Sequence, residues 1–212
     1  MKTLVVIGAG GFGRETLDVA AACNDQAPQW NILGVVDDAP SDTQLQRLAK
    51  RDVRWLGTLA DFLASASPST SFVVAIGDPS DRARLCVDLA ASGRSGATLI
   101  HPKATIGSGV SIGEGTVICA GAQISTNVQI GEHVHINPNA VIGHDSEISS
   151  FVSINPGAII SGEVRVSTGA LVGAGAVVLQ GLTLGAATTV GAAACVTRDV
   201  GAERVVKGVP AR

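Results

Sequence analysis

The chain has 212 residues, a formal net charge of −3 and only 3% aromatic residues. That length suits one large domain or two small ones, and a near-balanced charge with no basic run argues against a nucleic-acid footprint. Mean hydropathy is +0.36 and Ser167 to Thr197 holds no charged residue. Gly, Ala and Thr dominate that stretch, however, and its aliphatics keep a fixed period that a membrane span has no reason to keep.

The N-terminus, MKTLVVIGAGG, enters a glycine-rich turn and not a small-residue cleavage site, so the chain is expected in the cytoplasm. Thr3 to Ile7 reads as a buried strand, followed at once by Gly8-Ala9-Gly10-Gly11-Phe12-Gly13 and by a helical pattern from Arg14 to Ala22. This is G-x-G-x-x-G between strand and helix, the context in which glycines let backbone N–H groups and a helix N-terminus approach a diphosphate. A second strand, Asn31 to Val36, ends in Asp37-Asp38. Acidic residues there meet a ribose or a base in such folds, and equally they close a solvated strand-end turn. Gln44–Lys50 and Leu59–Ala64 read as short helices, Phe72–Ile76 as a third strand closed by Gly77, and Ser80–Ser92 as an amphipathic helix. Residues 1–95 thus spell β-α-β-α-β-α, a Rossmann-like parallel α/β domain of half the dinucleotide size, with Gly93–Gly96 as the hinge out of it.

From Ile100 to Val196, every sixth residue is Ile, Val or Leu, at seventeen positions without a slip. A period of six fits neither an α-helix nor plain strand alternation. It fits a short strand plus a tight turn, three of which close one 18-residue coil of a parallel β-helix. Stacked at the strand spacing, the coils make a rod roughly 27 Å long. Residues 98–212 are therefore expected as this rod with a C-terminal tail.

The period leaves no room for a catalytic loop, so reactive groups must project from the coil. His144 and Asp145 fall at a turn, where neighbouring side chains can cooperate; a neutral imidazole beside a carboxylate suits a general base, and an exposed surface histidine is the competing reading. Adding eighteen places Gly162 over His144, with a backbone N–H that could face an oxyanion. The same step stacks Asn155 on Asn137, as an amide ladder or as contacts near a site, and Ser153 on His135. His101, before Pro102, reads as a cap at the entry to the rod. His133, His135 and His144 sit in neighbouring turns without the addresses of a trigonal metal site, so no metal is expected. Cys23, Cys86, Cys119 and Cys195 have no metal spacing and read as buried thiols, with Cys119 at a turn one coil before Asn137.

Four stretches together carry a resemblance: VVIGAGGFGRE at the glycine turn, NPNAVIGHD and NPGAIISG in the rod, and VVKGVPAR in the tail. The chain resembles the sialic acid O-acetyltransferase (NeuD-like) family of hexapeptide-repeat sugar acetyltransferases, in its nucleotide-amino-sugar N-acetyltransferase branch. The resemblance implies left-handed coils, a homotrimer with active sites between rods, acetyl-CoA as co-substrate, and a nucleotide-linked amino sugar as acceptor. It assigns His144 as base, Asp145 as its helper and Gly162 as the oxyanion amide. Nucleotide-sugar contacts fall on Gly10, Gly11, Phe12, Asp37, Asp38 and Gly77, with Asn137 also facing the substrate. Coenzyme contacts fall near Ala174 and Ala192, and Lys207 in the tail either meets a coenzyme phosphate or is solvated; Ser153 stands where relatives carry a coenzyme-contacting histidine, so that contact is expected to be weaker or to be supplied by His135. O-acetylation of a sugar hydroxyl, a non-catalytic nucleotide-binding trimeric scaffold and a γ-type carbonic anhydrase are the alternatives.

Overall fold

The computed structural model describes residues 1–65 and 67–212. Its first part runs β1 (Lys2–Ile7), α1 (Gly11–Gln26), β2 (Trp30–Val36), α2 (Asp42–Ala49), α3 (Leu59–Ser65), β3 (Ser71–Val74) and α4 (Pro79–Ala91). The sheet is parallel, in the order β2-β1-β3. Apolar residues on both faces of β1 suit a strand covered on two sides: Leu4 and Val6 pack towards α1, and Val5 and Ile7 towards α3 and α4.

Local chemistry sets the helix starts. Ser41 and Gln44 form a capping box, so α2 begins two residues earlier than its apolar pattern suggests. Asp78 caps α4 by accepting from Ser80 N (2.8 Å) and Asp81 N (3.0 Å), with Pro79 in the first turn. Strand β3 ends at Val74, short of Ile76, because the Ile76 carbonyl accepts from the Arg82 guanidinium instead of a strand neighbour. Gly93–Gly96 is paired and not a free hinge. Phe72 N donates to Ser95 O (3.1 Å) and Ala97 N to Phe72 O (2.6 Å), which ties the connection to β3.

Among the described residues, eighteen two-residue strands follow, from β4 (Leu99–Ile100) to β21 (Val205–Val206). They form three faces of seven, six and five strands, a left-handed β-helix of about six turns. Pairing repeats at eighteen residues: Val117, His135, Ser153 and Leu171 neighbour one another on the first face, and Gln123, Val141, Ile159 and Val177 on the second. Each coil thus satisfies its backbone from the coils above and below, while Ile, Val and Leu fill the prism. The tail departs from this step, since Thr189 pairs with Val205.

The two parts share one apolar cluster. Helix α1 turns Leu17, Ala20 and Cys23, spaced for one face, onto Leu99, Val117 and Cys119 of the first rod face. Beside this cluster lies Arg82, fully buried. Its Nε donates to His133 O (2.9 Å), Nη1 to Ile76 O (2.7 Å) and Nη2 to Phe151 O (2.6 Å) and Ser153 Oγ (3.0 Å). Burial lowers its pKa to about 10, so it stays charged at neutral pH, held by carbonyl dipoles with no carboxylate among its hydrogen-bond partners. No helix of the described residues is long and apolar enough to cross a membrane.

Lysine at position 82 would offer three donors from one point and leave several of these carbonyls bare. The expected outcome of Arg82→Lys is a loss of about 3 kcal/mol or more in unfolding free energy, measured by urea denaturation.

Candidate active site

His144 sits in the turn between Val141–Ile142 on the second face and Glu147–Ile148 on the third, at a corner of the prism. Asp145 follows in the left-handed region, at φ 57°, which turns its side chain back to the imidazole. The Nδ1···Oδ2 distance is 2.7 Å. An ionised carboxylate only accepts, so Nδ1 carries the proton of neutral His144 and the lone pair lies on Nε2. That nitrogen lies over Gly162: a Cβ there would stand 2.5 Å from it. The glycine makes room for the ring, and its N–H has no acceptor among the described residues.

The Asp145 carboxyl is held below the usual carboxylate range, first by Asn127 and then by His144. Asn127 Nδ2 donates to Oδ1 (3.0 Å). Asn127 lies one coil before Asp145 and was missed at the sequence level; the signal that finds it is the eighteen-residue step from Asp145 backwards. Beside His144, the second face carries an open groove lined by Thr105, Gln123, Ser125, Thr126 and Val141.

Other expected site residues gather at a different corner. Ala174 and Ala192 are exposed turn residues between the first and second faces, away from the His144 corner. The tail brings Lys207 there, since Gly191 N donates to Val206 O (2.7 Å) and a Cβ on Gly191 would lie 3.0 Å from the Lys207 Cβ. Asn137 and Asn155 form the ladder: Asn137 Nδ2 donates to Ile154 O (3.0 Å) and Asn155 Oδ1 (3.4 Å).

The coenzyme role expected of His135 is corrected by its burial. It is 1% exposed, its Nε2 bonds Val74 O (2.9 Å), and its Nδ1 faces Arg82 Nη1 at 3.2 Å. A carbonyl can only accept, so Nε2 carries the hydrogen and Nδ1 receives from Arg82. Burial and then the Arg82 charge hold this imidazole well below its ordinary pKa and therefore neutral. Ser153 is equally enclosed, accepting from Arg82 and donating to Gly77 O (3.2 Å). At this position the rod is tied to the loop after β3, and the hydroxyl is not left free for a coenzyme. His133 lies between the rings of Phe72 (5.9 Å) and Phe151 (5.5 Å). Among the described residues, no three His, Cys, Asp or Glu side chains stand together as a metal set.

At the C-terminal edge of the sheet, a cleft runs between Gly8, Asp37, Asp38, Ile76, Asp81 and Arg84. Asp37 holds the glycine turn by accepting from Ala9 N (2.8 Å) and the turn after β2 by accepting from Ala39 N (3.0 Å), and Asp38 caps α3 through Leu59 N (2.7 Å). Gly11 and Gly77 leave open space above their Cα atoms, whereas Gly13 abuts the Gly8 carbonyl and sets the close strand–helix approach. Phe12 is turned inward, its ring 4.3 Å from His135. Burial pushes the Cys119 and Cys86 thiols up to about 12, which makes both poor nucleophiles. Cys195 is half-buried, not enclosed as the sequence suggested.

A glycine-turn α/β domain on a left-handed hexapeptide rod, with a corner histidine, defines a class of acyltransferases, and comparison with known proteins agrees. Residues 3–89 match the family model described as PglD N-terminal domain. The acetyltransferase domain of PglB from Neisseria gonorrhoeae is 30% identical, with 100% of this chain and 99% of that one covered at a TM-score of 0.87; it has also been solved with acetyl coenzyme A. PerB from Caulobacter crescentus, in complex with CoA and GDP-perosamine, is 30% identical over 99% of this chain and 96% of that one, with a TM-score of 0.81. WeeI from Acinetobacter baumannii is 28% identical over 99% and 98%, with a TM-score of 0.87. No curated protein matches. The chain belongs to the sugar acetyltransferase family that includes PglB and PerB. It is an acetyltransferase, and acetyl-CoA is its co-substrate.

Gly162 has no left-handed backbone requirement, and the atoms nearest to an alanine Cβ there belong to the His144 ring. A crystal structure of Gly162→Ala is expected to show the imidazole displaced from Asp145, with an otherwise unchanged rod and thermal midpoint.

Proposed function

We propose that the enzyme transfers the acetyl group of acetyl-CoA to the amino group of a nucleotide-linked amino sugar by direct attack, with His144 as general base. The observation that carries this reading is the 2.7 Å His144–Asp145 contact, which leaves Nε2 unprotonated above the bare Gly162. The neutral amine attacks the thioester carbonyl and a C–N bond forms. Nε2 accepts the amine proton, Asp145 steadies the imidazolium, and the Gly162 N–H meets the oxyanion. Collapse breaks the C–S bond, and the leaving thiolate takes up the proton. No residue of the chain needs to become acetylated, because holding amine and thioester together supplies much of the rate gain.

The acceptor class rests on PerB, which binds GDP-perosamine and CoA. Residues 1–95 are assigned the nucleotide sugar, at the cleft beside Asp37, Asp38 and Gly77 and the open turn at Gly10 and Gly11. Residues 98–212 are assigned acetyl transfer, with Ala174, Ala192 and Lys207 as the coenzyme contacts at their corner. That corner and His144 lie on opposite edges of the second face. Its outward residues include Val141, Val177 and the 40%-exposed Ile159, an apolar strip that favours burial against another rod. A homotrimer with sites between rods accounts for both features. Free cysteines throughout suit the reducing cytoplasm.

A thiol-release assay across UDP-, dTDP- and GDP-linked amino sugars and their hydroxyl counterparts tests the acceptor. Release with one amino sugar set, and none with the hydroxyl set, is expected; the reverse pattern would make this an O-acetyltransferase. His144→Ala is expected to lower kcat by about 10²- to 10⁴-fold with assembly unchanged, and near-normal turnover would remove His144 from the role.

A further inference from the structure

We propose that Asn127 is a positioning residue for the base, acting through Asp145; the inference rests on the reading of His144 given above. Both oxygens of the Asp145 carboxylate are held, Oδ2 by His144 Nδ1 at 2.7 Å and Oδ1 by Asn127 Nδ2 at 3.0 Å. The Asp145 and His144 side chains are each 47% exposed, so water competes for either oxygen, and the terminal torsion of an aspartate is broad and two-fold. A single contact to the imidazole leaves the carboxylate free to swing about that torsion. The second contact, from a neighbouring coil of the rigid rod, fixes its plane.

Asn127 is itself prepared for the task. It adopts φ 59°, as Asp145 adopts φ 57°, so the two side chains leave equivalent turns one coil apart. Its backbone is pinned by donation to Ser108 O (2.9 Å), and Asp145 N donates to Thr126 O (3.1 Å), which locks the two turns in register. One coil earlier stands Gly109, where a Cβ would lie 2.7 Å from Asn127 Oδ1. A bare glycine makes room for the amide at one end of the column as Gly162 makes room for the imidazole at the other. An amide also has the right charge. It donates to the carboxylate without cancelling it, as lysine would, and without repelling it, as aspartate would.

Asn127→Gly removes the side chain and tolerates the positive φ, so the rod should keep its thermal midpoint. With acetyl-CoA and whichever UDP-, dTDP- or GDP-linked amino sugar gives the fastest thiol release, kcat is expected to fall about 10- to 100-fold, as for a misplaced catalytic group. KM for each substrate should stay within about twofold, since Asn127 is assigned no contact with either. In an Asp145→Asn background the same change should cost nothing further. Independently of turnover, two-bond ¹H–¹⁵N correlations of the His144 ring should shift from the Nδ1–H tautomer towards Nε2–H in Asn127→Gly. Unchanged kcat and tautomer, or a loss equally large with and without the Asp145 carboxylate, would overturn the inference while a crippled His144→Ala left the base itself standing. Normal turnover in His144→Ala would overturn both.

Discussion

Backbone pairing between coils is the constraint from which the rest follows. Within the rod the two-residue strands up to β20 pair eighteen residues apart, so no coil can slip without turning its Ile, Val and Leu out of the prism. A rod built this way has rigid corners, and what stands at a corner is decided by chain address. The column at the His144 corner is a consequence: Asn127 and Asp145 occupy equivalent turns one coil apart, His144 stands over Gly162, and the three side chains come within hydrogen-bond reach without any loop.

The same rigidity makes the junction demanding. The first domain must dock on a surface it cannot reshape, and it does so with an apolar cluster around α1 and with one buried guanidinium. Arg82 is an economical choice, because its planar fork reaches carbonyls on the rod and at the end of β3 together, which an ammonium cannot. Burial, and then the Arg82 charge, keep the neighbouring His135 neutral, so that its lone pair is free to accept from the guanidinium. Gly77, next to the cleft at the C-terminal edge of the sheet, is bonded to Ser153 in the rod. The loop after β3 is therefore tied directly to the rod.

Burial separates the histidines of the rod and their neighbours into two kinds. His133, His135 and Ser153 are enclosed and spend their groups on packing or on Arg82. His144 and Asp145 remain half-exposed and spend theirs on each other, with Nε2 left over. An exposed pair of this kind contributes little to stability; its worth lies in fixing which nitrogen carries the proton.

By itself the sequence determined the rod, its inward residues, the glycine turn and the His144 corner, because a period of six with a closing step of eighteen admits one arrangement of neighbours. It also placed Gly162 over His144 and stacked Asn155 on Asn137 by that same arithmetic. Only the tertiary structure decided what lies against the first rod face. His135 reads in the sequence as a polar residue on an outward position, available to a coenzyme; docking of the α/β domain covers it and hands its nitrogens to Val74 and Arg82. Arg82 in turn is one charged residue among several on an amphipathic helix, and nothing local reveals that it is the buried one. Asn127 was within reach of the eighteen-residue step, yet a small polar residue at a turn is what every coil offers, and the direction of its amide is settled only by the side chains next to it.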